Sequence, residues 1–143
     1  MSTKSEAIKA ISTLRPFIGE DQLSVMIQGC KGEEQQFFID KIVEMAAVVQ
    51  SMPKTYEQDG KGEQAVAYLH YFTGGCDWYI TEKDVETEDE PGQFQAFGIA
   101  NLGYGPELGY ISIVELLENH AELDLHFTPK TIGEIKAGKE VCQ

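Results

Sequence analysis

Apolar residues in the first third of the chain recur with the period of an α-helix. The members of one stripe, spaced four, three, four and three residues apart, are Phe38, Ile42, Met45, Val49 and Met52. Residues with this spacing lie on one face of a helix. The pattern therefore predicts a long, largely buried helix that opens at about Gly32 and ends before Pro53.

Two shorter helices are predicted before the long one. The first begins at a capping box, in which Thr3 and Glu6 satisfy each other's backbone N–H groups, and it ends at Pro16. The second spans Glu20–Cys30, where the helical spacing of apolar residues is repeated more briefly. Residues 1–53 are thus predicted to be helical.

After Pro53 the pattern changes to short runs rich in aromatic and β-branched residues. Such runs, separated by glycine and polar residues, are typical of β-strands and turns. Strands are predicted at Ala65–Phe72, Asp77–Glu82, Phe94–Leu102 (broken by Gly98), Leu108–Ile111 and Leu123–Phe127. The first two are close enough to form a hairpin across Gly74 and Gly75.

Two further helix-start signals follow the fourth predicted strand. Ser112 and Glu115 can form a capping box for a short helix that reaches about His120. Thr131 and Glu134 offer a second cap, which a polar tail follows. Between the second and third strands, residues 83–92 are expected to form an extended, solvated loop because their five carboxylates repel one another.

The order of these elements predicts the fold class. A run of helices followed by strands that can pair indicates an α+β fold. The helical N-terminal third (1–53) is expected to pack on a mostly antiparallel sheet of about four to five strands (within 64–135), with one short C-terminal helix. A length of 143 residues is that of one domain, so residues 1–143 are predicted to form a single domain.

The charge of the chain changes the set of expected partners. There are 24 acidic and 11 basic residues, and the net charge is −13. Most of the excess lies in residues 64–143, which contain fourteen Asp or Glu and four Lys. Nucleic acid phosphates repel such a protein, so direct nucleic acid binding is not expected. A basic protein surface would attract it.

Neither membrane insertion nor secretion is predicted, and a cytoplasmic location is expected. The longest apolar run, Met45–Val49, is far shorter than the roughly 20 residues that span a bilayer. The first residues lack the apolar core of a signal peptide. Because Cys30, Cys76 and Cys142 are scattered and form no CxxC pair, no disulfide or zinc knuckle is expected. No two histidines have the short spacing of a metal site, and neither a metal nor a cofactor is expected.

Four motifs in the second half carry a family resemblance. They are Asp-Trp-Tyr-Ile-Thr-Glu at 77–82, Phe-Gly-Ile-Ala-Asn-Leu-Gly at 97–103, Gly-Pro-Glu-Leu-Gly-Tyr-Ile-Ser at 105–112 and Leu-Asp-Leu-His-Phe-Thr-Pro-Lys at 123–130. In this order they resemble the bacterial family called domain of unknown function 2958, over roughly residues 77–135. That resemblance implies a protein of plasmids, phages and other mobile elements, without an established activity. The acidic insert after the Thr-Glu strand is longer here than the family pattern.

Polar residues within these motifs suggest one hypothesis, a small enzyme or ligand-binding domain. Glu82 ends a strand on the face that carries Trp78, Glu107 lies in a glycine-rich turn, and His126 lies on the last predicted strand. If Glu82, Glu107 and His126 converge beside the sheet, they can act as acid and base. Each also has a structural alternative, as a strand end or a turn carboxylate bonded to backbone amides. No nucleophile motif accompanies them, so the sequence indicates no definite enzyme class.

The leading hypothesis is instead a non-enzymatic interaction protein. An acidic face would dock on a basic surface of a host or element-encoded protein, and in one version it would inhibit that protein by imitating the charge of DNA. The expected interaction residues are Glu82, Asp84, Glu86, Glu88, Asp89 and Glu90, with Tyr104 and Tyr110 as a flanking aromatic patch. The alternative is that the acidity only keeps a small protein soluble.

Overall fold

The N-terminal helices form where the apolar spacing predicted them. In the computed structural model, which describes residues 1–103 and 105–141, the Oγ of Thr3 accepts the Glu6 N–H and the Glu6 carboxylate accepts the Thr3 N–H. The predicted capping box is therefore confirmed. The three helices are α1 (Lys4–Leu14), α2 (Glu20–Gly29) and α3 (Gln35–Ser51), with a short 3₁₀ helix at Arg15–Phe17.

Seven strands and two more helices make up the rest of the described chain. Their bounds are β1 (Val66–Ala67), β2 (Leu69–Thr73), β3 (Cys76–Glu82), β4 (Ala96–Asn101), β5 (Pro106–Ile111), α4 (Ile113–Glu118), β6 (Glu122–Leu123), β7 (Lys130–Thr131) and α5 (Ile132–Val141). Five strands form an antiparallel sheet in the order β5-β4-β3-β2-β6, and β1 pairs with β7 in a separate two-stranded sheet. Strand β3 is therefore the central strand of the main sheet.

One hydrophobic core joins the helices to the main sheet. Its members come from α1 to α3, from β2 to β6 and from α4, and they include the fully buried Leu14, Ile42, Leu69, Ile80 and Ile113. Because side chains alternate along a strand, one face of the sheet supplies Leu69, Tyr71 and Ile80 to this core. The N-terminal helices thus pack on the sheet, and the predicted α+β fold is confirmed.

Two strand predictions need correction. The predicted strand Ala65–Phe72 is divided between two sheets, because β1 leaves the main sheet to pair with β7. The predicted strand Leu123–Phe127 ends at Leu123, because the Asp124 carboxylate accepts the His126 N–H and the chain turns there. Thr131 and Glu134 do form a cap, and residues 132–141 continue as helix α5, where the sequence had suggested a polar tail.

Gly98 lies at a close approach of β3 and β4, and it does not break its strand as predicted. Gly98 lies within β4 and pairs with Ile80 on one side and with Gly109 on the other. A Cβ at Gly98 would lie 1.9 Å from the carbonyl oxygen of Tyr79, far inside van der Waals contact. Only glycine fits at this point of the central ladder.

We expect Gly98→Ala to destabilise the fold by about 1–3 kcal/mol or more, because β3 and β4 must move apart to admit the methyl group. Gly109→Ala is a matched control, since a Cβ on Gly109 has no heavy atom within 4 Å. The control should change the free energy of unfolding by less than about 0.5 kcal/mol. Urea denaturation of both variants tests this, and equal midpoints would contradict it.

Candidate functional site

Glu82 lies at the end of β3 and is buried, with only 4% of its surface exposed. Its carboxylate accepts the backbone N–H of Tyr56 at 3.0 Å and of Gln58 at 3.4 Å, and it also accepts the Thr81 hydroxyl. A buried carboxylate needs such donors to offset the loss of water. The prediction that Glu82 belongs to an exposed acidic face is therefore wrong; Glu82 holds the segment after α3 against the sheet.

The burial of Glu82 is made possible by an irregularity in the ladder. The register of β3 against β4 shifts between Ile80 and Glu82, as in a β-bulge. Trp78 packs against the core that faces the helices, whereas Glu82 faces Tyr56 and Gln58. The sequence predicts that Trp78 and Glu82 lie on the same face of the sheet because side chains alternate along a strand. This alternation is interrupted at the bulge, and the expectation does not hold.

The other two candidate catalytic residues lie elsewhere. Glu107 is exposed on β5 and pairs with Ala100, which pairs with Trp78, so it is four residues along the strand direction from Glu82, or about 13 Å. His126 follows β6, at the opposite edge of the sheet from β5, and its ring faces Phe37 of α3. Four strand spacings separate these edges, about 19 Å. The sheet therefore does not bring the three side chains together.

The acidic loop, residues 83–92, is closed on itself rather than extended as predicted. The carboxylate of Glu86 accepts the Gly92 N–H at 2.7 Å and the Gln93 side-chain amide at 2.6 Å. The carboxylate of Asp84 accepts the N–H groups of Glu86 and Gln95. Repulsion within the loop is thus offset because two of its five carboxylates bind backbone and amide donors.

Gln93 anchors this loop to the body of the protein. Its side chain is fully buried, and its amide also bonds both backbone groups of Asp84. Its own carbonyl accepts the N–H groups of Ile113 and Val114 at the start of α4. These bonds hold the loop next to that helix.

The remaining carboxylates of the loop, those of Glu88, Asp89 and Glu90, are exposed. Two apolar side chains beside them are also exposed, Val85 by 53% and Phe94 by 52%. Val85 and Phe94, with Asp89 and Glu90, border an open cavity of about 510 Å³. The loop thus combines negative charge with exposed apolar surface.

Lys83 does not neutralise the loop to which it belongs. Its ammonium group donates to the carbonyl oxygen of Val49 at 2.8 Å, close to the end of α3. No other basic residue occurs in residues 83–92. The exposed carboxylates therefore have no basic partner within the loop.

Of the two predicted interaction tyrosines, Tyr110 is exposed on β5, and Tyr104 lies outside the described residues. The hydroxyl of Tyr110 shares a hydrogen bond with that of Tyr56, which raises the pKa of Tyr110. Tyr56 has a positive φ of 80°, a strained conformation for a bulky residue. Its N–H bond to buried Glu82 holds it there, so the aromatic pair depends on that carboxylate.

A cluster that the sequence analysis missed lies on the sheet face away from the N-terminal helices. The Nδ1 of His70 is 2.9 Å from a carboxylate oxygen of Asp124, and its Nε2 is 2.7 Å from one of Asp77. The imidazole stacks on the ring of Tyr79 at 4.5 Å. The hairpin across Gly74 and Gly75 could have predicted the pairing of His70 with Tyr79, but no local signal indicates Asp124.

The environment of this cluster perturbs two groups. Burial, together with the nearby carboxylates of Asp77 and Asp124, raises the pKa of Tyr79 to about 12. Burial acts to raise the pKa of Asp124 as well, but hydrogen bonds from His70 and from the His126 N–H, with the charge of His70, lower it overall. The Asp124 carboxylate is therefore held in its charged form.

The cluster links segments of the chain through the two ring nitrogens of His70. Both ring nitrogens of His70 are hydrogen-bonded, so neither is left to bind a metal or to accept a proton from a substrate. Asp77 and Asp124 come from either side of β2, so His70 joins three segments of the chain. Within residues 1–103 and 105–141, no group of three or more His, Cys, Asp or Glu side chains is arranged to hold a metal ion.

Comparisons with protein-family models, with curated proteins and with solved structures gave no match. The resemblance to the domain of unknown function 2958 family therefore stays a prediction. In the described part of the chain, no helix has the length and apolar character needed to cross a membrane.

The lowered pKa of Asp124 predicts a pH dependence of stability. A carboxyl group whose pKa is lower in the folded protein stabilises the fold above the unfolded pKa of about 3.9, and this contribution is lost as the pH falls toward the lower folded value. Between about pH 5 and pH 2, the free energy of unfolding of the Asp124→Asn variant should therefore decrease by less than that of the wild type. Urea midpoints across this range measure it. The exposed control Asp59→Asn should follow the wild type, and parallel curves for all three proteins would contradict the assignment.

The role of Glu86 predicts the behaviour of the acidic loop. Glu86→Ala removes both bonds that close the loop, each charge-assisted and worth about 1.5 kcal/mol or more. Amide hydrogen exchange at Gly92 should accelerate by about tenfold or more, while Glu88→Ala leaves the rate unchanged. An equal acceleration in both variants would show that charge, rather than the closure by Glu86, orders the loop.

Proposed function

We propose that this chain is a non-enzymatic interaction protein that binds a basic surface of another protein through the acidic loop. The observation that carries the proposal is that the loop carboxylates have two different roles. Asp84 and Glu86 bind the loop's own donors, and Glu88, Asp89 and Glu90 remain exposed. A loop already closed by its own hydrogen bonds loses less conformational entropy when a partner binds.

The surface next to these carboxylates suits a protein partner rather than a simple ion. Val85 and Phe94 offer apolar area for contact, and the exposed acids surround it. Interfaces typically place apolar contacts at the centre and polar groups at the rim. A partner with Lys or Arg around an apolar side chain would complement this arrangement in both respects.

The net charge of −13 supports fast but salt-sensitive association with such a partner. Long-range attraction raises the association rate, and added salt screens it over about 8–10 Å. A basic host protein, or one encoded by the same mobile element, fits this chemistry. A protein that normally handles DNA carries the required positive surface, so inhibition through imitation of DNA charge is the specific form of the proposal.

The proposal predicts that neutralising the three exposed acids weakens binding. Capture from host lysate at low salt should recover a basic protein with the wild type, and the triple variant Glu88→Gln, Asp89→Asn, Glu90→Gln should bind it at least about threefold more weakly. A matched control removes the same charge elsewhere through Glu33→Gln, Glu34→Gln and Asp59→Asn. Equal losses in both triple variants would mean that overall charge alone attracts the partner, and the loop proposal would fail.

A further inference from the structure

A groove on the helical side of the molecule has an apolar floor and no occupant among the described residues. It has a volume of about 860 Å³ and lies between α2 and α4. The floor includes Ile18, Val25, Met26, Phe38, Leu117 and Leu125. Val25 is 63% exposed and belongs to the lining of this groove.

The rim of this groove is acidic. Glu20 and Asp21 lie in the first turn of α2, and Glu118 and Glu122 lie on the opposite side. Against these four carboxylates the lining has one arginine, Arg15, which already pairs with Glu20 at 3.1 Å. The groove therefore presents negative charge around an apolar floor.

One of these carboxylates lies at an electrostatically unfavourable position of its own helix. Glu118 is the last residue of α4, and the last turn of this helix contains no basic residue. A negative charge is unfavourable at a helix C-terminus because the helix dipole is negative there. A residue that opposes its local context in this way is expected where function requires it.

Hydrogen bonds beside the groove also limit how a partner can bind there. The side-chain amide of Gln22 accepts the N–H of Leu123 at 2.9 Å and donates to its carbonyl at 2.8 Å. These are the groups through which a partner strand would extend the sheet at β6. Since Gln22 occupies them, an occupant must bind through its side chains, as an amphipathic helix does.

We infer that this groove is a docking site for an amphipathic helix of a partner protein, with an apolar stripe on the floor and Lys or Arg side chains against the rim. The stripe would contact Val25 and Leu117, and the basic residues would pair with Asp21, Glu118 and Glu122. The inference goes beyond the acidic loop, because none of the groove residues belongs to that loop.

A model peptide of about five helical turns, composed of leucine on one face and lysine on the other, provides the first test. Calorimetric titration of the full chain should show saturable binding, and a peptide with glutamate in place of lysine should bind at least about tenfold more weakly. Val25→Asp should weaken binding of the lysine peptide by about tenfold or more. The added carboxylate would by itself attract this peptide, so such a loss reports on the apolar floor.

The control for that variant is Ile8→Asp, which places the same charge on the exposed face of α1, where Ile8 is 70% exposed. It should change the affinity by less than about twofold. No saturable binding of the lysine peptide, or equal effects of Val25→Asp and Ile8→Asp, would overturn the inference.

A second pair of variants separates the groove from the acidic loop. Glu118→Gln with Glu122→Gln should weaken the lysine peptide and reduce its salt dependence, whereas Glu88→Gln with Glu90→Gln should leave both nearly unchanged. The reverse result would overturn the groove assignment while leaving the loop proposal intact. Circular dichroism of each variant confirms that the helices remain folded.

Discussion

The buried carboxylate of Glu82 is the constraint on which the structure around the end of strand β3 depends. A charge removed from water must be surrounded by donors, and here they come from Thr81 and from the backbone of Tyr56 and Gln58. This requirement folds the segment after α3 over the end of β3. Gln58 follows, because its side chain bonds the backbone of Val66 and Thr81 and so joins β1 to β3. One carboxylate thus orders several segments that have no helix or strand of their own.

The remaining acidic residues divide into those that accept hydrogen bonds from the protein itself and those that do not, and this division guides the functional proposals. Asp84 and Glu86 close a loop, Asp77 and Asp124 hold His70, and Glu134 caps α5. A high negative charge therefore does not imply that every carboxylate is available to a partner. Some of the exposed carboxylates lie beside apolar surface, at the acidic loop and around the α2–α4 groove. A partner with basic and apolar groups can contact either one.

The two faces of the main sheet are stabilised in different ways. The face toward the helices is covered by a core of mainly aliphatic side chains. Such packing does not require exact partners, but the side chains must fill the buried volume. The opposite face is covered by smaller apolar clusters, in which Ile132 and Ile135 of α5 join Ile99 and Tyr79, and by polar contacts such as the His70 cluster. Hydrogen bonds and ion pairs need precise partners, so residues distant in sequence determine that face. This difference explains why the helical face was predictable and the other face was not.

The sequence by itself determined the N-terminal helices and the α+β class, because periodic burial and capping depend on residues that are close in the chain. Thr3 with Glu6, and the stripe along α3, are examples of such local signals. Only the tertiary structure decided which carboxylates are buried, since Glu82 and Glu90 were both assigned to one exposed acidic face but have opposite exposure. It also decided that Glu107 and His126 lie at opposite edges of the sheet and that Asp124 reaches His70. These outcomes depend on strand order, a bulge and long-range contacts, and chain-local patterns contain no information about them.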